Sequence, residues 1–198
     1  MEKLSTNKII QALENKPDNT NQLDEVFHAF TARILPELKI AASEAYKRNN
    51  NVYQTAGAKK LSSANALTRT YSTKLGLLWE EIADLAPNVI SPELDFGVKY
   101  KIPDVDVIVR YNGHLYYTQL KTQKNTLTGS QAPRTLAELG KYDYHWFVAC
   151  IDNNSPWTFS DKKHRLIGKE FWNKIGIDYD EIVVQLGQSI QAVETLLS

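Results

Sequence analysis

Two aspartates, a glutamine and a lysine flank a predicted β-hairpin, where their side chains could hold a substrate or a cation. Asp104 and Asp106 precede the dipeptide Asn112-Gly113, and Gln119 and Lys121 follow it. Asn-Gly is a strong signal for a two-residue hairpin turn. With this turn Asp106 lies opposite Gln119 and Asp104 lies opposite Lys121, so side-chain alternation places all four on one face. Such a cluster is costly to desolvate unless it binds something.

A structural interpretation of the same four residues also stays open. Asp104 and Lys121 could form a cross-strand ion pair, which contributes under about 1 kcal/mol on a protein surface. The alternation Asp-Val-Asp-Val is also ordinary in a half-exposed strand. Residue spacing alone does not decide between a binding site and a solvated sheet face.

Helices are predicted for most of the first ninety residues. Ser5 can cap a short helix that ends at Leu13, and apolar residues at helical spacing predict a second helix over 21–34. Pro36 is expected to interrupt it before a third helix over 37–47. Residues 48–64 lose this periodicity and are predicted to form a surface loop. The last of these helices ends near Pro87 and carries the stripe Tyr71, Leu75, Leu78, Ile82 and Leu85.

The apolar period changes to two after Pro92, which predicts a β-sheet. We expect strands over 96–102, 105–111 and 115–120, and a strand over 144–151 that is buried on both faces. A strand over 181–185 and helices over 135–142, 169–174 and 188–197 complete the prediction. The predicted class is α/β with a mixed β-sheet flanked by helices. We expect one domain over 1–198: a helical N-terminal part (1–66), a core (67–153) and a C-terminal completion (154–198).

The string around the hairpin resembles the active-site motif of a known superfamily. It reads Pro103-Asp104-Val105-Asp106-Val107-Ile108-Val109, then the turn, then Gln119-Leu120-Lys121. This resembles the PD-(D/E)xK nucleases, and type II restriction endonucleases in particular. The resemblance covers about 67–153 and implies a restriction-endonuclease-like fold.

The resemblance implies a role for each residue of the motif. Asp106, with Asp104 as the alternative, and Gln119 would hold a divalent cation, usually Mg²⁺, and Lys121 would position or deprotonate the attacking water. The family's preceding helix often contributes a glutamate. Spacing from Gly76 favours Glu80 for this role, whereas the apolar stripe places Glu81 closer to the buried face. Both stay open.

Gln119 departs from the family pattern, which has Glu or Asp at this position. A neutral carbonyl oxygen is a poorer ligand for Mg²⁺ than a carboxylate. Asp104 or a glutamate of the helix could restore the missing charge. If neither does, the site is impaired.

Two stretches without acidic residues could follow a nucleic-acid backbone. Residues 45–79 and 107–137 contain no Asp or Glu but carry lysines and arginines among many Asn, Gln, Ser and Thr side chains. A polar surface loop would have the same composition. The candidate contacts to phosphates or base edges are Lys124, Asn125, Thr126, Gln131 and Arg134, with Lys59 and Lys60 as weaker candidates.

The function implied by the resemblance is Mg²⁺-dependent, site-specific cleavage of duplex DNA, as in a type II restriction enzyme. An enzyme of this size is expected to act as a homodimer on a palindromic site. The near alternative is a Holliday-junction or repair nuclease of the same superfamily. The more distant alternative is a non-catalytic DNA-binding module with this fold.

Composition excludes several other classes. The 198 residues balance 23 Lys and Arg against 23 Asp and Glu, and the longest apolar run is far shorter than a membrane span. Neither a membrane segment nor a secretory leader is expected, and the single cysteine, Cys150, suits the cytoplasm. The sequence has neither a glycine-rich phosphate loop nor a dinucleotide fingerprint, so no nucleotide cofactor is expected. The histidines, which are expected to be structural or exposed, are His28, His114, His145 and His164.

Overall fold

The computed structural model describes residues 4–45, 52–127 and 129–197, which form an α/β structure around a five-stranded mixed sheet. The helices are α1 Thr6–Glu14, α2 Leu23–Glu44, α3 Val52–Thr55, α4 Lys59–Ala83, α5 Pro92–Phe96, α6 Gln131–Leu139, α7 Gly168–Ile175 and α8 Tyr179–Glu194. The strands are β1 Val89–Ile90, β2 Val107–Tyr111, β3 His114–Lys121, β4 His145–Ala149 and β5 Arg165–Ile167. Short 3-10 helices cover Thr20–Gln22, Val98–Tyr100, Lys162–His164 and Thr195–Leu197.

The five strands lie in sequence order across the sheet. β1, β2 and β3 are antiparallel neighbours, whereas β3, β4 and β5 run parallel. The β2–β3 hairpin has the predicted register, because Tyr111 pairs with His114 around the Asn112-Gly113 turn. Both turn residues have positive φ (48° and 78°), as a type I′ turn requires. The hairpin prediction is therefore confirmed, with β2 starting at Val107.

Helices cover both faces of the sheet. On one face Val107 and Leu120 pack into a core with Trp79 of α4. On the other face Ile108 and Phe147 pack with Ile9 of α1 and with α6. All five residues of β4 are buried, which confirms the prediction of a strand enclosed on both faces.

Two helix boundaries differ from the prediction in the N-terminal region. Pro36 lies inside α2 and does not end it. The apolar stripe continues past the proline to the fully buried Leu38, and its packing against α4 outweighs the one backbone hydrogen bond that proline removes. The loop predicted over 48–64 is also wrong where the structure describes it, because α3 and the first turns of α4 occupy that segment. Residues 48–51 lie outside the described residues.

Two predicted strands are helical in the structure. Residues 96–102 hold the end of α5 and a 3-10 helix, because Ser91 caps α5 at Leu94 N and Pro92 occupies its first turn. Residues 181–185 lie inside α8, whose cap Asp178 accepts from the backbone N–H groups of Asp180 and Glu181. The predicted closing helix continues α8. The other predicted helices and strands are present with shifted ends, and the two strands that the sequence analysis missed are β1 and β5, of two and three residues.

The described helices include none that combines the length and the apolar character needed to cross a lipid bilayer.

Candidate active site

Asp106 and Gln119 contact each other across the open end of the β2–β3 hairpin. The backbone N–H of Asp106 donates to the Thr118 carbonyl at 2.9 Å, which continues the strand pairing by one residue. Its carboxylate oxygen Oδ2 accepts from the Gln119 amide Nε2 and from the backbone N–H of Leu120, the latter at 2.7 Å. The sequence analysis predicted this cross-strand position. Burial raises the pKa of Asp106, although the charge of Lys121 and both hydrogen bonds oppose the rise.

Lys121 ends β3 on the same face as Gln119, two residues further along the strand. Its neighbour across the sheet is Ala149, and its carbonyl accepts from Cys150 N at 2.7 Å. The Cys150 thiol lies close enough to Asp106 for that carboxylate to add to the effect of burial, and the pKa of Cys150 is well above its usual value. Cys150 therefore stays a neutral thiol and adds no charge to the cluster.

Glu80 near the end of α4 joins this cluster from outside the sheet. Its pKa is raised from 4.5 to about 8, first by burial and then by the negative charges of Asp106 and Glu93. Lys101 and Lys121 act in the opposite direction. Glu80 is therefore protonated near neutral pH even though two lysines are nearby. A cation bound at this site would stabilise the ionised form of Glu80.

The structure separates Glu81 from the cluster. Its two carboxylate oxygens accept from Arg33 of α2 at 2.8 and 3.1 Å, so Glu81 bridges two helices. Of the two adjacent glutamates, Glu80 is the one whose electrostatic neighbours include Asp106 and Lys121. The apolar stripe of α4 favoured Glu81 because this residue lies on the side of the helix that packs against α2. That side is not the one near the hairpin.

Asp104 does not pair with Lys121 across the strands, and this expectation is wrong. Pro103 and Asp104 form a turn between Ile102 and Val105, which bridge each other, and Asp104 has a φ of 54°. The strand alternation therefore breaks before Asp106. The Asp104 carboxylate accepts from Arg134 Nε at 3.0 Å and from Thr135 Oγ1 at 3.1 Å.

Asp104 and Lys121 nevertheless line a common cavity of about 410 Å³. The cavity lies between the turn of Asp104, the end of β3 and the start of α6. It brings together five residues predicted from the sequence on separate grounds, two from the motif and three from the downstream polar segment. Its lining consists of Asp104, Lys121, Thr126, Leu127, Gln131, Arg134 and Thr135.

The other predicted nucleic-acid contacts are less concentrated. Lys124 donates to the Asn153 carbonyl and pairs with Asp152 at 3.2 Å, so its ammonium is held by the segment after β4. Asn125 is exposed. Lys59 and Lys60 are exposed at the start of α4, about 30 Å along the helix from Glu80 at 1.5 Å per residue. The structure does not bring these two lysines to the cluster.

Two charged residues near the cluster were missed by the sequence analysis. Lys101 pairs with Glu93 at 2.7 Å, and both act on the pKa of Glu80. Lys101 also opposes the raised pKa of Asp106. Lys101 lies only two residues before Pro103, and this closeness to the motif could have identified it. It was overlooked because residues 96–102 were predicted to form a strand outside the site.

The donor set fits a hard divalent cation. The carboxylates of Glu80 and Asp106, with the Gln119 side-chain oxygen, are the oxygen ligands that Mg²⁺ prefers. The observation that supports the fit is the mutual repulsion of the two carboxyl groups, which a cation would relieve. Gln119 turns its amide nitrogen toward Asp106, so its oxygen would face a cation there only after the amide rotates.

Comparisons with protein-family models, with curated proteins and with solved structures find no match for this chain. Its function therefore has to be inferred from the site itself.

Proposed function

We propose that this protein is a Mg²⁺-dependent endonuclease of the PD-(D/E)xK type that cleaves duplex DNA at specific sequences, as type II restriction enzymes do. The observation that carries the proposal is the contact between Asp106 and Gln119 at the open end of the hairpin, where Asp106 also interacts electrostatically with Glu80 and Lys121. In the resemblance, Asp106 and Lys121 are the first acid and the lysine, and Glu80 would restore the charge that Gln119 lacks. The proposal includes a restriction-endonuclease-like fold for the mixed sheet and its flanking helices.

Asp106, Gln119 and Glu80 would hold the cation in this proposal. When bound, Mg²⁺ would lower the pKa of a water nucleophile and offset charge on the phosphate. Asp106 is preferred to Asp104 because it lies beside Glu80, whereas Asp104 is held by Arg134 and Thr135. Glu80 is preferred to Glu81 because Arg33 already holds Glu81.

Lys121 would act on the substrate directly. Its ammonium lines the cavity, so it can neutralise charge that develops on a phosphate there or position the attacking water. Lys121 also interacts electrostatically with the carboxyl groups of Asp106 and Glu80. Replacing this point charge removes transition-state stabilisation without removing a core side chain.

The cavity supplies neighbouring contacts for a DNA backbone. Arg134 is largely exposed at its rim and can contact phosphate, while Thr126 and Gln131 offer polar groups of the kind that contact phosphate oxygens or base edges. Asp104 would hold Arg134 in orientation. A homodimer would place two such sites on the two strands of a palindrome.

The direct test incubates purified protein with phage DNA and Mg²⁺. Discrete fragments support a restriction enzyme, whereas a smear or nicking supports a repair nuclease. DNA that stays intact but is retarded in a gel supports the non-catalytic binding module. The proposal is wrong if DNA is neither cut nor bound at any salt concentration, because phosphate contacts dominate affinity at low salt.

A matched pair of aspartate variants assigns any cleavage to this site. Asp106→Asn should remove activity, whereas Asp143→Asn, an exposed aspartate before β4, should keep it. Equal activity of wild type and Asp106→Asn would point to a contaminating nuclease. It would also reject Asp106 as a ligand.

A further inference from the structure

Two histidines and an aspartate that are distant in the sequence meet beside the start of β4. His145 begins β4, whereas Asp161 caps the 3-10 helix Lys162–His164 before β5 and His164 is its last residue. One ligand atom from each of the three side chains lies within 4.8 Å of the others. The two imidazole rings have centroids 4.0 Å apart. From the sequence these histidines were expected to be structural or exposed.

The His145 side chain is oriented as a metal ligand usually is. Its ring nitrogen Nδ1 lies 2.9 Å from the Tyr142 carbonyl and therefore donates to it, which leaves the lone pair on Nε2. Metal-binding histidines almost always donate their second ring nitrogen in this way. The side chain is 7% exposed, and Nε2 is buried without a hydrogen-bond partner among the described residues. Such an unpaired atom indicates a missing ligand.

Asp161 supplies the oxygen that faces this nitrogen. Its Oδ2 lies 3.6 Å from His145 Nε2 and 2.7 Å from His164 Nδ1, while Oδ1 accepts from Lys163 N at 3.1 Å. Ligand atoms around a tetrahedral Zn²⁺ are about 3.3 Å apart, given bonds of 2.0–2.1 Å. The spacing at His145 is close to that value, and the His164 contact would open by about 0.6 Å to admit the ion.

We propose that His145, Asp161 and His164 bind a divalent transition-metal ion, preferentially Zn²⁺, that fastens the segment before β5 to the start of β4. Imidazole nitrogens favour Zn²⁺ and its neighbours over Mg²⁺, which takes oxygen ligands. Three protein ligands leave a fourth coordination position for water. The proposal is independent of the nuclease proposal, because Lys121 pairs with Ala149, about 13 Å along β4 from His145 at 3.3 Å per residue.

The test measures Zn²⁺ binding by calorimetry on the full chain, freed of any histidine tag and stripped with a chelator. Millimolar Mg²⁺ stays in the buffer to occupy oxygen-donor sites. We expect one Zn²⁺ per chain and a thermal midpoint that rises by about 5–10 °C when free Zn²⁺ is a hundred times Kd. Absence of saturable binding would overturn the proposal and leave the three side chains as a hydrogen-bonded network.

Variants locate the binding site. His164→Gln and Asp161→Asn are partly exposed positions and should weaken Zn²⁺ binding at least tenfold, whereas His28→Gln, an exposed histidine on α2, should not. Asp106→Asn should also bind Zn²⁺ normally. Equal affinity in His164→Gln and wild type would reject the site. Visible absorption of the Co²⁺-loaded wild type gives a readout without any variant: bands of a tetrahedral nitrogen and oxygen site are expected, and a weak octahedral spectrum contradicts them.

Discussion

The two ends of the parallel pair β3–β4 carry polar clusters of different chemistry. At the end of β3, Lys121 lies with the carboxyl groups of Asp106 and Glu80, and the pKa of Glu80 rises to about 8 because burial and like charge disfavour ionisation. At the start of β4, His145 and Asp161 are each oriented by a backbone hydrogen bond. The carboxyl groups of the first cluster repel each other when both are ionised, whereas the side chains of the second cluster are already oriented by hydrogen bonds. We therefore expect the two clusters to bind different ions.

The largest expected effect separates the clusters by activity. Lys121→Ala should reduce DNA cleavage at least 10²- to 10³-fold, because it removes the cation that would face the phosphate in the proposed mechanism. Zn²⁺ affinity should not change. Cleavage of phage DNA over time measures the first effect, and calorimetry measures the second.

Lys141→Ala is the control for Lys121→Ala, since Lys141 is exposed and pairs with Glu138 on the surface.

Asp106→Ala should also abolish cleavage. It should cost about 1–3 kcal/mol of stability, because the Leu120 N–H and the Gln119 amide lose their hydrogen-bond partner. Cleavage that persists in both Lys121→Ala and Asp106→Ala would mean that the cluster at the end of β3 is not catalytic.

The next effect is on stability against pH. Glu80 has a folded pKa of about 8 and an ordinary value of 4.5, so the folded chain keeps a proton that the unfolded chain releases. Stability should therefore fall as pH rises from about 4.5 to about 8. Glu80→Gln should reduce this slope to the part contributed by Asp84 and Asp106, whose pKa values are also raised. It should exceed wild-type stability at pH 8 by about 1–2 kcal/mol, allowing for solvent screening. Urea unfolding across this pH range is the measurement.

Glu81→Gln is the matched control for that measurement. It should keep the wild-type slope and lose up to about 1 kcal/mol, because it breaks an ion pair with the half-exposed Arg33. An unchanged slope in Glu80→Gln would mean that the pKa of Glu80 is not raised in the folded chain.

A smaller effect concerns the neutral member of the acid cluster. Gln119→Glu replaces an amide that donates to Asp106 with a carboxylate that repels it. Without Mg²⁺ the thermal midpoint should fall, and with Mg²⁺ the concentration needed for half-maximal cleavage should decrease, because a hard cation gains from each carboxylate. The cleavage rate need not rise. An unchanged Mg²⁺ midpoint would mean that residue 119 does not contact the ion.

The smallest effect is expected at Asp104. Asp104→Ala releases Arg134 and Thr135 at the cavity rim and should lower cleavage by less than about tenfold. Raising the salt concentration should decrease the difference from wild type, because salt weakens phosphate contacts and the variant has less of the Arg134 contact to lose. If Asp104→Ala loses all activity and Asp106→Ala keeps it, the two aspartates exchange roles.

The part of the site that lies on the hairpin could be predicted from the sequence, because local rules control it. Asn112-Gly113 dictates a two-residue turn, and the turn sets the register that brings Gln119 to Asp106. The prediction failed at Asp104, where a second turn reverses the strand. It also failed for residues 96–102, because the Ser91 cap and Pro92 outweighed an alternating pattern.

The sequence by itself determined the α/β class, the buried β4 and the contact between Asp106 and Gln119, since periodicity and turn chemistry act over a few residues. Tertiary structure alone decided which glutamate of α4 faces the hairpin, because Arg33 comes from another helix. It also brought His145 to Asp161 and His164 across the β4–β5 connection. Contacts between distant segments depend on how helices pack on the sheet, and the linear spacing of residues carries no record of that packing.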